Sequence, residues 1–291
     1  MKIDRRELKR QARERMSLAS PRFWVVALVF FLMTTGVSTA VDCIPFAADA
    51  PLGISTIGIF ATILVSLYSL VISFGYTLWA LWSWRKLDPD LYSLMEGFSV
   101  AGRVILMELG ILIRVLGWTI LVSMGCGVLI LVMPNEVGYL LMIAALYAFI
   151  FAIMLQYSLA PYLLADHPDD GPTAAIHRSM ALMRGWKWEL FKLEFSFIGW
   201  DLLNILIALV VMAVFLVGSG TLSALFTLDV NYLYQFYLTG DGSILYTLVS
   251  TLASLPLFLW LSPYRSVTLA GFYDARLEHQ QQTAAQEMPP L

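Results

Sequence analysis

The sequence predicts an all-α polytopic membrane protein: six transmembrane helices in three hairpins, with amphipathic surface helices on the cytoplasmic side. Three observations predict it. Of the 291 residues, 59% are hydrophobic and only 13% charged, about half the ~25% charge of soluble domains, and the mean hydropathy is +0.75. Six apolar runs each reach the length of about 20 helical residues that crosses a hydrocarbon core of ~30 Å. Lys and Arg gather at one set of run ends, while the loops at the other set hold acids and no base.

The chain begins with eight of its 18 Lys and Arg, from Lys2 to Arg22. Leu8, Ala12 and Met16 repeat at i, i+4, i+8, so a helix over 3–18 would lay a thin apolar stripe on the headgroups and its bases on anionic lipid. The alternative is a basic tail that only sets topology. Ser20 and Pro21 then start a first span over 23–41. A signal peptide competes there, but the long basic segment before it and five later spans favour an uncleaved anchor.

The second span, 54–82, ends in the interfacial aromatics Trp79, Trp82 and Trp84, with Arg85 and Lys86 behind them. Asp88, Pro89 and Asp90 open a second surface helix, 88–101, with Leu91, Leu94, Met95 and Phe98 on one face. The third span, 104–133, turns at Pro134, Asn135 and Glu136 into the fourth, 137–165. A polar break from Asp166 to Pro172 leads to a third surface helix, 172–184, with Ile176, Met180 and Met183 at helical spacing and Gly185 as its stop. Spans 190–217 and 244–270 follow, the latter interrupted by Pro256 and Pro263. Residues 1–275 thus form one membrane domain, and the Gln-rich tail 276–291 is predicted to be disordered. By the positive-inside rule both termini are cytoplasmic.

A short echo, Leu94-Met95-Glu96-Gly97 against Leu182-Met183-Arg184-Gly185, fits either an internal repeat or three unrelated hairpins. Cys43 and Cys126 are too few for a disulfide framework: they form a single bridge or are idle thiols. The net charge of -3 and the dispersed bases exclude nucleic acid as the expected partner. Zinc-protease, serine-hydrolase and P-loop signatures are absent, and His167, His177 and His279 do not cluster. No metal or cofactor is therefore expected.

Ionisable residues inside spans carry the chemistry that remains, since each costs at least ~2.5 kcal/mol at a helix centre unless paired or hydrated. They are Glu108, Arg114, Glu194 and Asp201. With entry at Val104 and Leu190, Arg114 and Asp201 both lie roughly 15 to 17 Å deep, and Glu108 and Glu194 roughly 6 Å. Gly110 and Gly117 flank Arg114 and permit close helix approach. Lys187, Glu194 and Asp201 fall on a heptad with Asn204 a turn beyond. The expectation is an Arg114–Asp201 pair between the third and fifth spans, either a structural ion pair or a polar pathway, with Glu108 and Glu194 met by snorkelling Arg103, Lys187 or Lys192. At the surface, Arg184, Trp186, Lys187, Trp188 and Lys192 are candidates for holding an acidic headgroup or a partner protein, or else a simple interfacial anchor.

The run Ser179, Met183-Arg184-Gly185, Lys187-Trp188, Leu190-Phe191 and Phe195-Ser196-Phe197-Ile198-Gly199-Trp200 resembles the signature of a bacterial integral membrane family called domain of unknown function 975. Supporting matches are Tyr157-Ser158-Leu159-Ala160-Pro161-Tyr162 with Ala165-Asp166 and Pro168, and Pro263-Tyr264 with Thr268, Ala270 and Phe272-Tyr273. The family's Pro-Gly between its third and fourth helices stands here as Pro134-Asn135. The resemblance implies a six-helix bacterial membrane protein and transfers no activity. The expected role is a non-enzymatic component organising or assisting a membrane lipid or protein complex, and the alternative is a small transporter or channel. The expected partners are the bilayer, including its anionic lipids, and a membrane protein.

Overall fold

The computed structural model describes residues 4–18, 21–42, 56–132, 135–218 and 242–287, and every regular element among them is helical. We label the α-helices α1 (Arg5–Leu18), α2 (Phe23–Phe31), α3 (Val37–Asp42), α4 (Thr56–Trp84), α5 (Ser93–Glu96), α6 (Ala101–Val132), α7 (Glu136–Tyr157), α8 (Ala160–Asp166), α9 (Pro172–Leu182), α10 (Lys187–Phe195), α11 (Ile198–Gly218) and α12 (Gly242–Glu287). Among the described residues, six helical stretches are long and apolar enough to cross a membrane: Phe23–Val41, Thr56–Trp84, Ser93–Gly127, Val137–Asp166, Ile198–Val217 and Leu245–Thr283. Residues 43–55, 133–134, 219–241 and 288–291, Cys43 among them, lie outside the described residues, so the bridge considered for Cys43 falls there too.

The core sits at the end of the bundle that carries the bases. Trp79, Leu94, Met107, Leu159, Leu164, Ile176, Met183, Phe197, Phe272 and Tyr273 are all fully buried there. Towards the other end, Phe60 and Leu64 of α4, Leu121 and Met124 of α6, Leu140 and Tyr147 of α7, and Val214 of α11 are exposed. Such exposed apolar faces fit helices of membrane-spanning length, because hydrocarbon is as apolar as leucine and exerts no pressure to bury them.

The surface helices depart from expectation. The apolar stripe of α1 does not face headgroups: Leu8, Ala12 and Met16 are buried, and α1 packs on α4 and α12. Its stripe is narrow enough to be covered by two helices, which removes it from the interface. The helix predicted over 88–101 is reduced to α5 and a 3₁₀ turn, Gly97–Val100, that runs straight into α6. Contact explains this. A Cβ on Gly75 would collide with the Leu94 carbonyl oxygen and one on Gly97 with that of Val71, so the turn is pressed backbone to backbone against α4. In extent, α1 and α9 each come within two residues of their predicted limits.

Two spans are also divided differently. The fourth breaks at Ser158 and Leu159 between α7 and α8. The fifth breaks at Ser196 and Phe197 between α10 and α11, where the Ser196 hydroxyl donates to the Leu193 carbonyl and the Phe197 amide to that of Glu194 at 2.9 Å. A hydroxyl bonded back to its own helix competes with the regular ladder, and the tightened turn buries Phe197. In contrast, α12 passes through Pro256 and Pro263 and continues to Glu287, so residues 276–287 of the predicted disordered tail are helical. Arg276 holds them: it is buried, donates to the Leu182 carbonyl at 2.8 Å and lies 4.1 Å from the Trp186 ring. Leu182 ends α9, where a cation is favoured by the helix dipole and its unpaired carbonyls.

Candidate functional site

The break in the fifth span moves its charges. Glu194 closes α10, and Asp201 lies in the first turn of α11 rather than halfway along one continuous helix. The expected Arg114–Asp201 pair does not form. Arg114 folds back to donate to the Gly110 carbonyl of its own helix at 2.9 Å, while Asp201 lies 3.6 Å from Arg265 of α12. Arg265 also donates to Glu194, so one guanidinium serves the carboxylates on both sides of the break. Gly110 does permit close approach, but towards Ile176 of α9, and Gly117 has nothing beside it among the described residues.

The trio is set by packing around the break. Phe197 meets Tyr264 edge-on at 5.3 Å, one residue before Arg265. On its other side Lys9 of α1 lies 3.9 Å from the Phe197 ring and donates to the Ser196 carbonyl at 3.0 Å. Desolvation lowers the Lys9 pKa below its ordinary value. The three remaining candidate bases go elsewhere: Arg103 to Asp169 at 3.4 Å, Lys187 to the Gln156 side chain at 3.0 Å, and Lys192 to Glu189 at 2.9 Å. Glu108 is half-buried with no partner among the described residues and does not join the cluster.

Beyond Arg265 the helices part. A cleft of about 330 Å³ lies between α2, α11 and α12, with Asp201, Asn204, Ser254, Ser262 and Arg265 as its polar wall and Phe31 and Phe258 as its apolar one. Ser262 donates to the Tyr76 hydroxyl at 3.2 Å. A second cavity of about 300 Å³ also has Phe31 in its wall and continues along Thr35, Gly36, Leu248 and Leu252. The first span opens a π-helical turn, Leu32–Gly36, at that point, a device often found at functional positions. The arrangement can hold an amphiphile: a polar end carrying both charge signs and, sharing Phe31 with it, an apolar cavity.

The surface candidates separate. Trp188 is exposed and stacked on Phe191 at 4.8 Å with Lys192 beside it, and Arg184 is exposed without a partner among the described residues. Trp186 and Lys187 point inward to Arg276 and Gln156 instead.

A second polar centre escaped the sequence. Arg85, in the turn after α4, is bidentate to Asp166 of α8 at 2.6 and 2.8 Å and reaches Asp274 of α12 at 2.6 Å. The Tyr273 hydroxyl donates to Asp166 at 2.8 Å. Hydrogen bonding to Asp166 raises the Arg85 pKa still further, so the guanidinium stays charged at any working pH. These residues read singly as a topology signal and a polar break, and no spacing joins positions so far apart in the chain. Among the described residues no group of His, Cys, Asp and Glu is arranged to hold a metal ion.

No curated protein and no solved structure matches the chain. A family model described as "Protein of unknown function (DUF975)" matches residues 1–280. With nearly the whole chain matched and six helices of membrane-spanning length and composition, the protein belongs to the DUF975 family.

Proposed function

We propose that this is a multi-pass protein of a bacterial plasma membrane, with both termini in the cytoplasm, acting without cofactor as a non-enzymatic component that organises or assists a membrane lipid or protein complex. Its specific task in this reading is to seat a phospholipid with a zwitterionic, amine-bearing headgroup in the cleft between the first, fifth and sixth spans. The observation that carries the reading is the pairing at the cleft's polar end. Asp201 is about half exposed and meets Arg265 through one long contact of 3.6 Å, which leaves carboxylate oxygen for an ammonium and guanidinium N–H for a phosphate. From Arg265 to Leu252 the sixth span rises about 20 Å at 1.5 Å per residue. That exceeds the roughly 15 Å hydrocarbon depth of one leaflet, so an acyl chain fits along the apolar continuation.

Native mass spectrometry of the detergent-purified protein tests this. Wild type is expected to retain an amine-headed phospholipid, and Asp201→Asn or Arg265→Gln to weaken retention about tenfold, the equivalent of 1.4 kcal/mol. Equal retention by all three would contradict the reading. The transporter reading draws support from a different observation, the discontinuous fifth span with charges at its break, a construction shared by transporter binding sites. Flux of a small ion or substrate into proteoliposomes, abolished by Asp201→Asn, would favour it over a lipid seat.

A further inference from the structure

A third cavity, away from the lipid cleft, lies where α1 meets the turn after α4. It measures about 220 Å³ and is lined by Arg15, Leu18, Ser83, Lys86, Asp88 and Pro89. Ser83 is only 6% exposed, and its buried hydroxyl has no hydrogen-bond partner among the described residues. Such orphan groups are rare in folded chains because each forfeits its bond to water. Arg15 is poised at the same cavity with its guanidinium 5.5 Å from the Trp84 ring. Lys86 and Asp88 both adopt positive φ, 59° and 47°. That conformation is unusual for residues with a Cβ and is retained where the surroundings require it.

We infer that this cavity is a phosphate-ester site in which Arg15 and Lys86 supply the positive charge and the Ser83 hydroxyl donates to a phosphate oxygen. Two cations against the one carboxylate of Asp88 leave a net charge that favours an anion. A guanidinium and an ammonium from different elements suit a tetrahedral phosphate, which accepts from several directions. The site would also tie α1 to the body: Arg15 and the break-supporting Lys9 belong to the same helix, so occupancy at one end of α1 steadies the contact at the other. The ligand is either a phospholipid headgroup or a free phosphate compound, since both present the same group.

The test is titration of the full-length protein in neutral detergent with two probes, short-chain phosphatidate and inorganic phosphate, read by native mass spectrometry and thermal unfolding. Single-site binding of phosphatidate alone identifies a lipid headgroup, and binding of inorganic phosphate as well identifies a free phosphate site; either supports the inference. Arg15→Gln and Lys86→Gln are each expected to weaken binding about tenfold. Ser83→Ala is the discriminating variant. Without probe its unfolding temperature should equal or exceed that of wild type, because an unpaired hydroxyl is removed, yet its affinity should fall several-fold. Lys86 is exposed, so its variant reports on binding even if Arg15→Gln does not fold. Absence of saturable binding by either probe, or affinity unchanged in Lys86→Gln and Ser83→Ala, would overturn the inference.

Discussion

Removing the Arg85 guanidinium would leave Asp166 and Asp274 facing one another, both largely shielded from water. Breaking a buried pair by deleting one member costs about 3 to 5 kcal/mol, and partial exposure of Arg85 places this site at the lower limit. Arg85→Ala should therefore lower stability by about 3 kcal/mol in detergent. Arg85→Lys should recover only part of the loss, because an ammonium cannot reproduce the two-sided fork. Equal unfolding temperatures for wild type and Arg85→Ala would refute the assignment. Arg114, the base that stands out in the sequence, is by contrast bonded, among the described residues, only to its own helix. A charge inside a span is conspicuous in one dimension, whereas the partners of Arg85 and Arg265 come from elements 81, 189 and 71 positions away. That is why the sequence revealed Asp201, Glu194 and Asn204 but not the base that joins the first two.

At the scale of elements, span count and approximate limits were legible because apolar length is a one-dimensional property. The breaks and dockings were not. The turn before α6 is shaped by Gly75 and Gly97 against opposing backbone, and a glycine's sequence does not say whether it faces a carbonyl or open space, as Gly75 and Gly117 illustrate. Gly75→Ala would drive a methyl into the Leu94 carbonyl and should destabilise by about 1 to 3 kcal/mol or more. Gly117→Ala should be nearly silent, and comparison of their thermal unfolding checks both. The C-terminal helix offers a second test. Truncation after Ala275 removes the Arg276 cap on α9, so amide exchange over residues 172–182 should accelerate. A disordered tail would leave that exchange unchanged.

For the whole molecule, the distribution of burial separates a packed basic end from a loosely packed opposite end. The packed end is bound by Arg85, Arg276 and the docked α1, while the distal helices present apolar faces suited to lipid. The cleft lies where these two regimes meet, bounded by the Arg265 trio on one side and the π-helical turn of the first span on the other. A phospholipid is the occupant whose own division into charged and apolar parts follows that boundary. Photo-crosslinking with a phosphatidylethanolamine carrying a diazirine on one acyl chain measures this directly. The labelled peptides are expected to come from Phe31–Thr39 and Leu248–Phe258, with labelling lost in Arg265→Gln; labelling spread evenly over all six spans, or unchanged in that variant, would contradict a lipid seat in the cleft.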